Sequence, residues 1–134
     1  MAEVVTETIE IAKVVDLTYE QALEKIVEAL KVEGFGVLTE IDVKATFKKK
    51  LDVDFEKYKI LGACNPPFAK KALDVDRSVG TLLPCNVYVQ EVEPNKTKVS
   101  AIDPMKMFQI LPNKELEPIA KEIQERLTRA VNSL

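Results

Sequence analysis

Three times in this chain a strand-like apolar run ends on Asp or Asn and gives way at once to a helix-like segment. FGVLTEI (35–41) leads to Asp42 and VKATFKKKL, KYKILGAC (57–64) to Asn65 and Pro66, and KVSAI (98–102) to Asp103 and PMKMFQIL. A short polar side chain at such a junction can accept from the free N–H groups of the first helical turn. Pro66 and Pro104 then stand at the first helical position, where a missing N–H costs nothing. In VKATFKKKL, Val43, Phe47 and Leu51 share one face. A hydrophobic period that switches from 2 to 3.6 across one capping residue, repeatedly, restricts the chain to folds that mix strands with helices.

The remaining segments fill in that plan. VVTETIEIAK (4–13) alternates apolar and polar residues from Val5 to Ile11, which predicts a strand with one wet face. Thr18 opens a helix, and with Gln21 it forms a capping box. Tyr19, Leu23, Ile26, Val27 and Leu30 make its apolar stripe, and Gly34 supplies the left-handed residue that ends it. TLLPCNVYVQEV (81–92) predicts a strand, PNKT (94–97) a turn, and KVSAI the returning strand. A last helix over about 116–133 buries Ile119, Ile123, Leu127 and Ala130, with Pro118 tolerated only near its start. The expectation is one α+β domain over 1–134. It has a mostly antiparallel sheet of about five strands, two long helices on one face and three short helices.

Composition narrows the function classes. With 19 basic and 22 acidic residues the formal net charge is −3, which argues against nucleic acid, since phosphates call for a basic footprint. MAEVVTETIE has no basic flank and no long apolar run, and no stretch approaches a membrane span. The expected location is therefore the cytoplasm, with thiols reduced. The chain has no histidine, which removes the commonest metal ligand and general base.

Its two cysteines both precede asparagine, in GACNPP and LPCNVYV. Cys85 falls on an apolar strand face and reads as a small core hydrophobe. Cys64 directly precedes a helix start, where free N–H groups and the helix dipole would lower its pKa if the sulfur faced them. Were the two strands parallel, the thiols would lie far apart; antiparallel pairing, which the short connection favours, brings them to one end of the sheet. Two thiols with no histidine and no CxxC spacing do not make a zinc site, so no metal is expected. Asn65 reads as a helix cap. Asn86, directly after Pro84 and on the face opposite Cys85, suggests an edge or bulge beside a site. Asp42 and Asp103 read as caps that would share a rim if their strands were neighbours. Lys44 and Lys48 to Lys50, followed by Asp52, Asp54 and Glu56, read as a solvated charged face, and Met105, Met107 and Phe108 as core filling.

GFGVLTEIDVKATFKKKL (34–51), YKILGACNPPFAKKAL (58–73), LPCNVYV (83–89) and SAIDP (100–104) together resemble the bacterial and archaeal family called domain of unknown function 302. The resemblance runs from about Thr18 to Val131. It implies a small α+β fold, a homodimer, and family motif positions at Asp42, Lys50, Tyr58, Cys64, Asn65, Pro66, Pro84, Cys85, Asn86, Asp103 and Pro104. It implies no activity. Lys70 stands where relatives often carry histidine, so no histidine-dependent metal or haem role is carried over.

The leading expectation is a small-molecule or ion binding protein. Its pocket would gather Cys64, Cys85, Asn65 and Asn86 near Asp42 and Asp103, with Tyr58 and Lys50 as further ligand-binding candidates. One alternative is a thiol redox enzyme with Cys64 as nucleophile and Cys85 as resolving partner. Another is a structural or interaction module with no pocket. The ligand and any cofactor are left open by the sequence.

Overall fold

The computed structural model describes residues 8–134. Five strands form one sheet: β1 (Glu10–Val15), β2 (Gly36–Asp42), β3 (Tyr58–Cys64), β4 (Cys85–Glu93) and β5 (Lys96–Ile102). Their order across the sheet is β1-β5-β4-β3-β2, and every neighbouring pair is antiparallel. The helices are α1 (Tyr19–Val32), α2 (Val43–Leu51), α3 (Pro66–Val75), α4 (Pro104–Met107) and α5 (Glu117–Asn132). β1 and β2 lie at opposite edges, so α1, which joins them, crosses the whole sheet.

The caps act largely as their residue types predict. Thr18 and Gln21 form the reciprocal box at α1, Asp42 accepts from Ala45 N, and Asp103 accepts from Met105 N. Gly34 takes φ 88 after α1, a value an L side chain resists. Asn65 departs from expectation. It occupies the cap position of α3 but makes no cap bond; its amide Nδ2 instead donates to the Glu33 carbonyl at 3.2 Å. The strand expected over 81–92 begins only at Cys85, because Arg77–Leu82 winds into a 3-10 turn and Pro84 has no N–H to give a ladder. The Leu83–Pro84 bond is cis. The first strand runs later than its alternation suggests; Val5, Thr6 and Glu7 lie outside the described residues.

One face of the sheet carries the core. Ile11, Leu61, Val87, Val89, Val99 and Ala101 meet Ile26 and Leu30 of α1 and Ile123, Leu127 and Val131 of α5, all nearly fully buried. The same face holds Lys13, 5% exposed, whose ammonium donates to the Asn132 and Leu134 carbonyls at 3.1 and 2.8 Å, the negative end of α5. A smaller cluster of Ala72, Val79, Phe108, Leu116 and Ala120 fills the space under α3 and α4.

Neither α1 nor α5, the two long helices among the described residues, packs on the opposite face. There Ala12, Ser100, Tyr88, Ile60 and Ile41 form one row, a residue from each strand. α2 sits at its β2–β3 margin with no buried residue, so the shared face of Val43, Phe47 and Leu51 covers little, and Leu51 is 64% exposed.

Candidate functional site

Cys64 is the last residue of β3 and Cys85 the first of β4. Because the two strands are antiparallel, with Ala63 opposite Cys85, the two cysteines come to the same end of the sheet. Both are free thiols and both line one crevice of about 10 Å³, with Phe35, Asn65, Ala69 and Pro84 among its walls. That is about the space of one water-sized sphere. Cys85 is buried, while Cys64 is half-buried.

The thiol electrostatics differ from expectation. Burial pushes the Cys64 thiol above its ordinary value, and burial pushes Cys85 up to about 12, with the Cys64 thiol adding to it. The helix start beside Cys64 does not offset this. Pro66 and Pro67 have no N–H, so the first turn of α3 lacks two of the four free donors that could stabilise a thiolate.

Asn65 closes one side of the crevice and ties it to α1. The Glu33 carbonyl accepts from Asn65 Nδ2 and, at 3.0 Å, from Arg126 Nη1, while the Arg126 guanidinium lies 5.1 Å over the Phe68 ring. Asp103 is at the same end of the sheet, following β5, but is 1% exposed and fully engaged. Gln124 Nε2 donates to its two oxygens at 3.0 and 3.1 Å, and Met105 N donates to one of them.

The other expected members stand elsewhere. Asp42 pairs with Lys59 at the far end of β2, whereas Gly36, at the near end, pairs with Cys64. β2 and β5 are not neighbours, so Asp42 and Asp103 do not share a rim. Asn86 follows Cys85 in the chain but points to the opposite face, exposed, across from Gly62. Tyr58 opens β3 at the far end and stacks on Tyr88, ring centroids 4.9 Å apart. Lys50 is exposed on α2. The gathering of all these residues around the thiols is therefore corrected to a smaller set: Cys64, Cys85 and Asn65, with Asp103 nearby.

A second polar cluster, on the open face, was not singled out from the sequence. Glu10 accepts from the Tyr88 hydroxyl, from Ser100 Oγ at 2.9 Å and from Lys98 Nζ at 3.4 Å. The Tyr88 hydroxyl chiefly, then Ser100 and Lys98, hold the Glu10 carboxyl below its ordinary value against the effect of burial. Burial and the bond to Glu10 raise Tyr88. Strand alternation alone puts Tyr88, Lys98 and Ser100 on one face, but Glu10 joins them only through the β1–β5 pairing, which no local signal encodes. Tyr88, Ser100 and Lys98 all donate to the one Glu10 carboxylate, so the cluster pins the strands together more readily than it reaches for a ligand.

Among the described residues, no group of three or more His, Cys, Asp or Glu side chains is placed to hold a metal ion. None of the described helices is long and apolar enough to cross a membrane.

The sequence profile described as "Domain of unknown function DUF302" matches residues 11–134. A solved structure, described as "Crystal structure of uncharacterized conserved protein DUF302 from Bacillus stearothermophilus", is 30% identical, with a TM-score of 0.86 over 93% of this chain and 97% of that one. No curated protein matches the chain.

Proposed function

We propose that this chain, which belongs to the family of domain of unknown function DUF302, is a cytoplasmic binding protein whose site is the small crevice lined by Cys64, Asn65 and Cys85. The observation that carries this reading is the shared crevice. Two strands that run in opposite directions put both cysteines at one end of the sheet, where they line a crevice of about 10 Å³, and Cys64 is half-buried. Drug-sized ligands occupy cavities of roughly 300–1,000 Å³, so this volume favours an ion over a metabolite. Asn65, tied to Glu33, fixes one wall. The redox alternative is weakened by the electrostatics. A nucleophilic thiol works as its thiolate, and burial raises both thiols.

The test is a melting-temperature screen of reduced protein against single ions and small metabolites, paired with alkylation of Cys64. An ion that raises the melting temperature and protects Cys64 from alkylation supports the reading. A metabolite that stabilises the protein while leaving Cys64 open to alkylation contradicts it.

A second reading, compatible with the first, is a homodimer joined at the β2–α2 margin. Leu38, Ile41, Leu51 and Val53 are 68, 51, 64 and 47% exposed there, on an edge strand, on a helix with no buried residue and just after that helix. Lys48 to Lys50 lie beside Asp52 and Asp54, a mixed-sign strip that can meet itself across a two-fold axis. Sedimentation should find a dimer that Leu38→Glu dissociates; a wild-type monomer at tens of micromolar would contradict this.

A further inference from the structure

We infer that a second cavity, between α4 and the start of α5, is a binding site for a zwitterion with an apolar body: an apolar amino acid or short apolar peptide. Its volume is about 470 Å³, within the roughly 300–1,000 Å³ of cavities that hold drug-sized ligands. Phe108, Leu116 and Ala120, each 5% exposed or less, form its inner wall, and Met105 and Leu111 complete it. Such a wall takes an aliphatic or aromatic side chain, and the flexible thioether of Met105 adapts to either. Phe108 also lines the cysteine crevice, so the two cavities lie back to back across one ring.

The rim decides the head group. Asn113 accepts from Glu115 N at 3.0 Å and opens a 3-10 turn over Lys114–Leu116, which runs directly into α5 at Glu117. Residues three apart on such a turn eclipse each other. Leu116 is thereby turned inward, while Lys114 and Glu117 both line the rim and are both exposed. Neither side chain makes a hydrogen bond or ion pair among the described residues. A ligand with only a carboxylate would pair with Lys114 and be repelled by Glu117. One with only an ammonium would meet the reverse. A molecule that carries both charges beside an apolar side chain satisfies the whole lining.

The experiment is a titration of isotope-labelled, full-length protein followed by amide NMR. The probes are phenylalanine and the dipeptide leucyl-phenylalanine, against hydrocinnamate, which has only the carboxylate, and phenethylamine, which has only the ammonium. The expected result is a set of shifts concentrated over 105–120 with either zwitterion, the tighter of the two showing whether the source is a free amino acid or a peptide. Each single-charge analogue should bind about fivefold more weakly, the order that one exposed ion pair supplies. Lys114→Gln should weaken the zwitterion but not phenethylamine, and Glu117→Gln should weaken the zwitterion but not hydrocinnamate. Both positions are exposed, so the fold is spared, and a merely structural role would not produce that split. A melting-temperature gain that Lys114→Gln reduces belongs to this cavity and leaves the crevice reading untouched. No shifts with either zwitterion, or shifts confined to 63–69 and 83–85 around the cysteines, would overturn this cavity as a site. Hydrocinnamate or phenethylamine binding as tightly as the zwitterions would overturn the ligand class.

Discussion

Cys64 and Cys85 wall one crevice although one closes its strand and the other opens the next. Each thiol alone reads as ordinary core. The antiparallel β3–β4 register brings both residues to one end of the sheet, with Ala63 rather than Cys64 directly opposite Cys85.

The first prediction concerns reactivity. Burial raises both thiols, Cys85 to about 12, so little thiolate is present at neutral pH. Iodoacetamide should label Cys64 more slowly than a small free thiol at pH 7, and Cys85 more slowly still. Mass spectrometry of timed digests checks this. Cys64 labelling faster than the free thiol would restore the nucleophile reading.

The same burial predicts alkaline instability. Cys85 is raised from 9.0, and Tyr19, through burial first and Asp42 second, from 10.0, each to about 12. A group whose folded pKa exceeds its unfolded one gives stability that is fully present below the unfolded value and is lost as pH rises through the folded value. Urea midpoints should therefore fall from about pH 9 toward pH 12, and Cys85→Ala should make the early part of that decline shallower.

Glu10 gives the acid-side counterpart. Its carboxyl is held below the ordinary 4.5, first by the Tyr88 hydroxyl, so its contribution is present above 4.5 and is lost as pH falls through the lowered folded value. Glu10→Gln should lower the urea midpoint at pH 7, and the gap from wild type should close as both are acidified. A constant gap would mean that the carboxylate charge is not what the cluster uses.

Gly62 admits no side chain. A Cβ there would collide with Thr39 Oγ1 and stand 2.8 Å from Pro84 Cγ. Gly62→Ala should cost about 1–3 kcal/mol, as overpacking does, measured by urea unfolding. Thr39→Ala in the same chain should recover part of the loss, leaving the Pro84 contact. An unchanged midpoint in Gly62→Ala would show that β2 shifts freely against β3.

The elements were legible in the sequence wherever a local rule governs them. The Thr18–Gln21 box, the Asp42 and Asp103 caps, the Gly34 stop and the helical stripes all follow from chemistry within a few residues. The antiparallel run of the two cysteine-bearing strands also followed, from the short connection between them. What did not follow depends on distant partners. Asn65 sits at a cap position yet bonds to Glu33, thirty-two residues away. Asp42 and Asp103 look equivalent in sequence but lie on strands that are not neighbours. A lowered Cys64 pKa required the sulfur to face the helix start, which a local reading does not settle; burial raises it instead.

The most direct measurement is iodoacetamide labelling of Cys64 in the reduced protein, read by mass spectrometry, with and without the ion that most raises the melting temperature. The account predicts that the ion slows labelling of Cys64, which lines the crevice with Cys85. Labelling that proceeds unchanged while the protein is stabilised would contradict the crevice as the binding site.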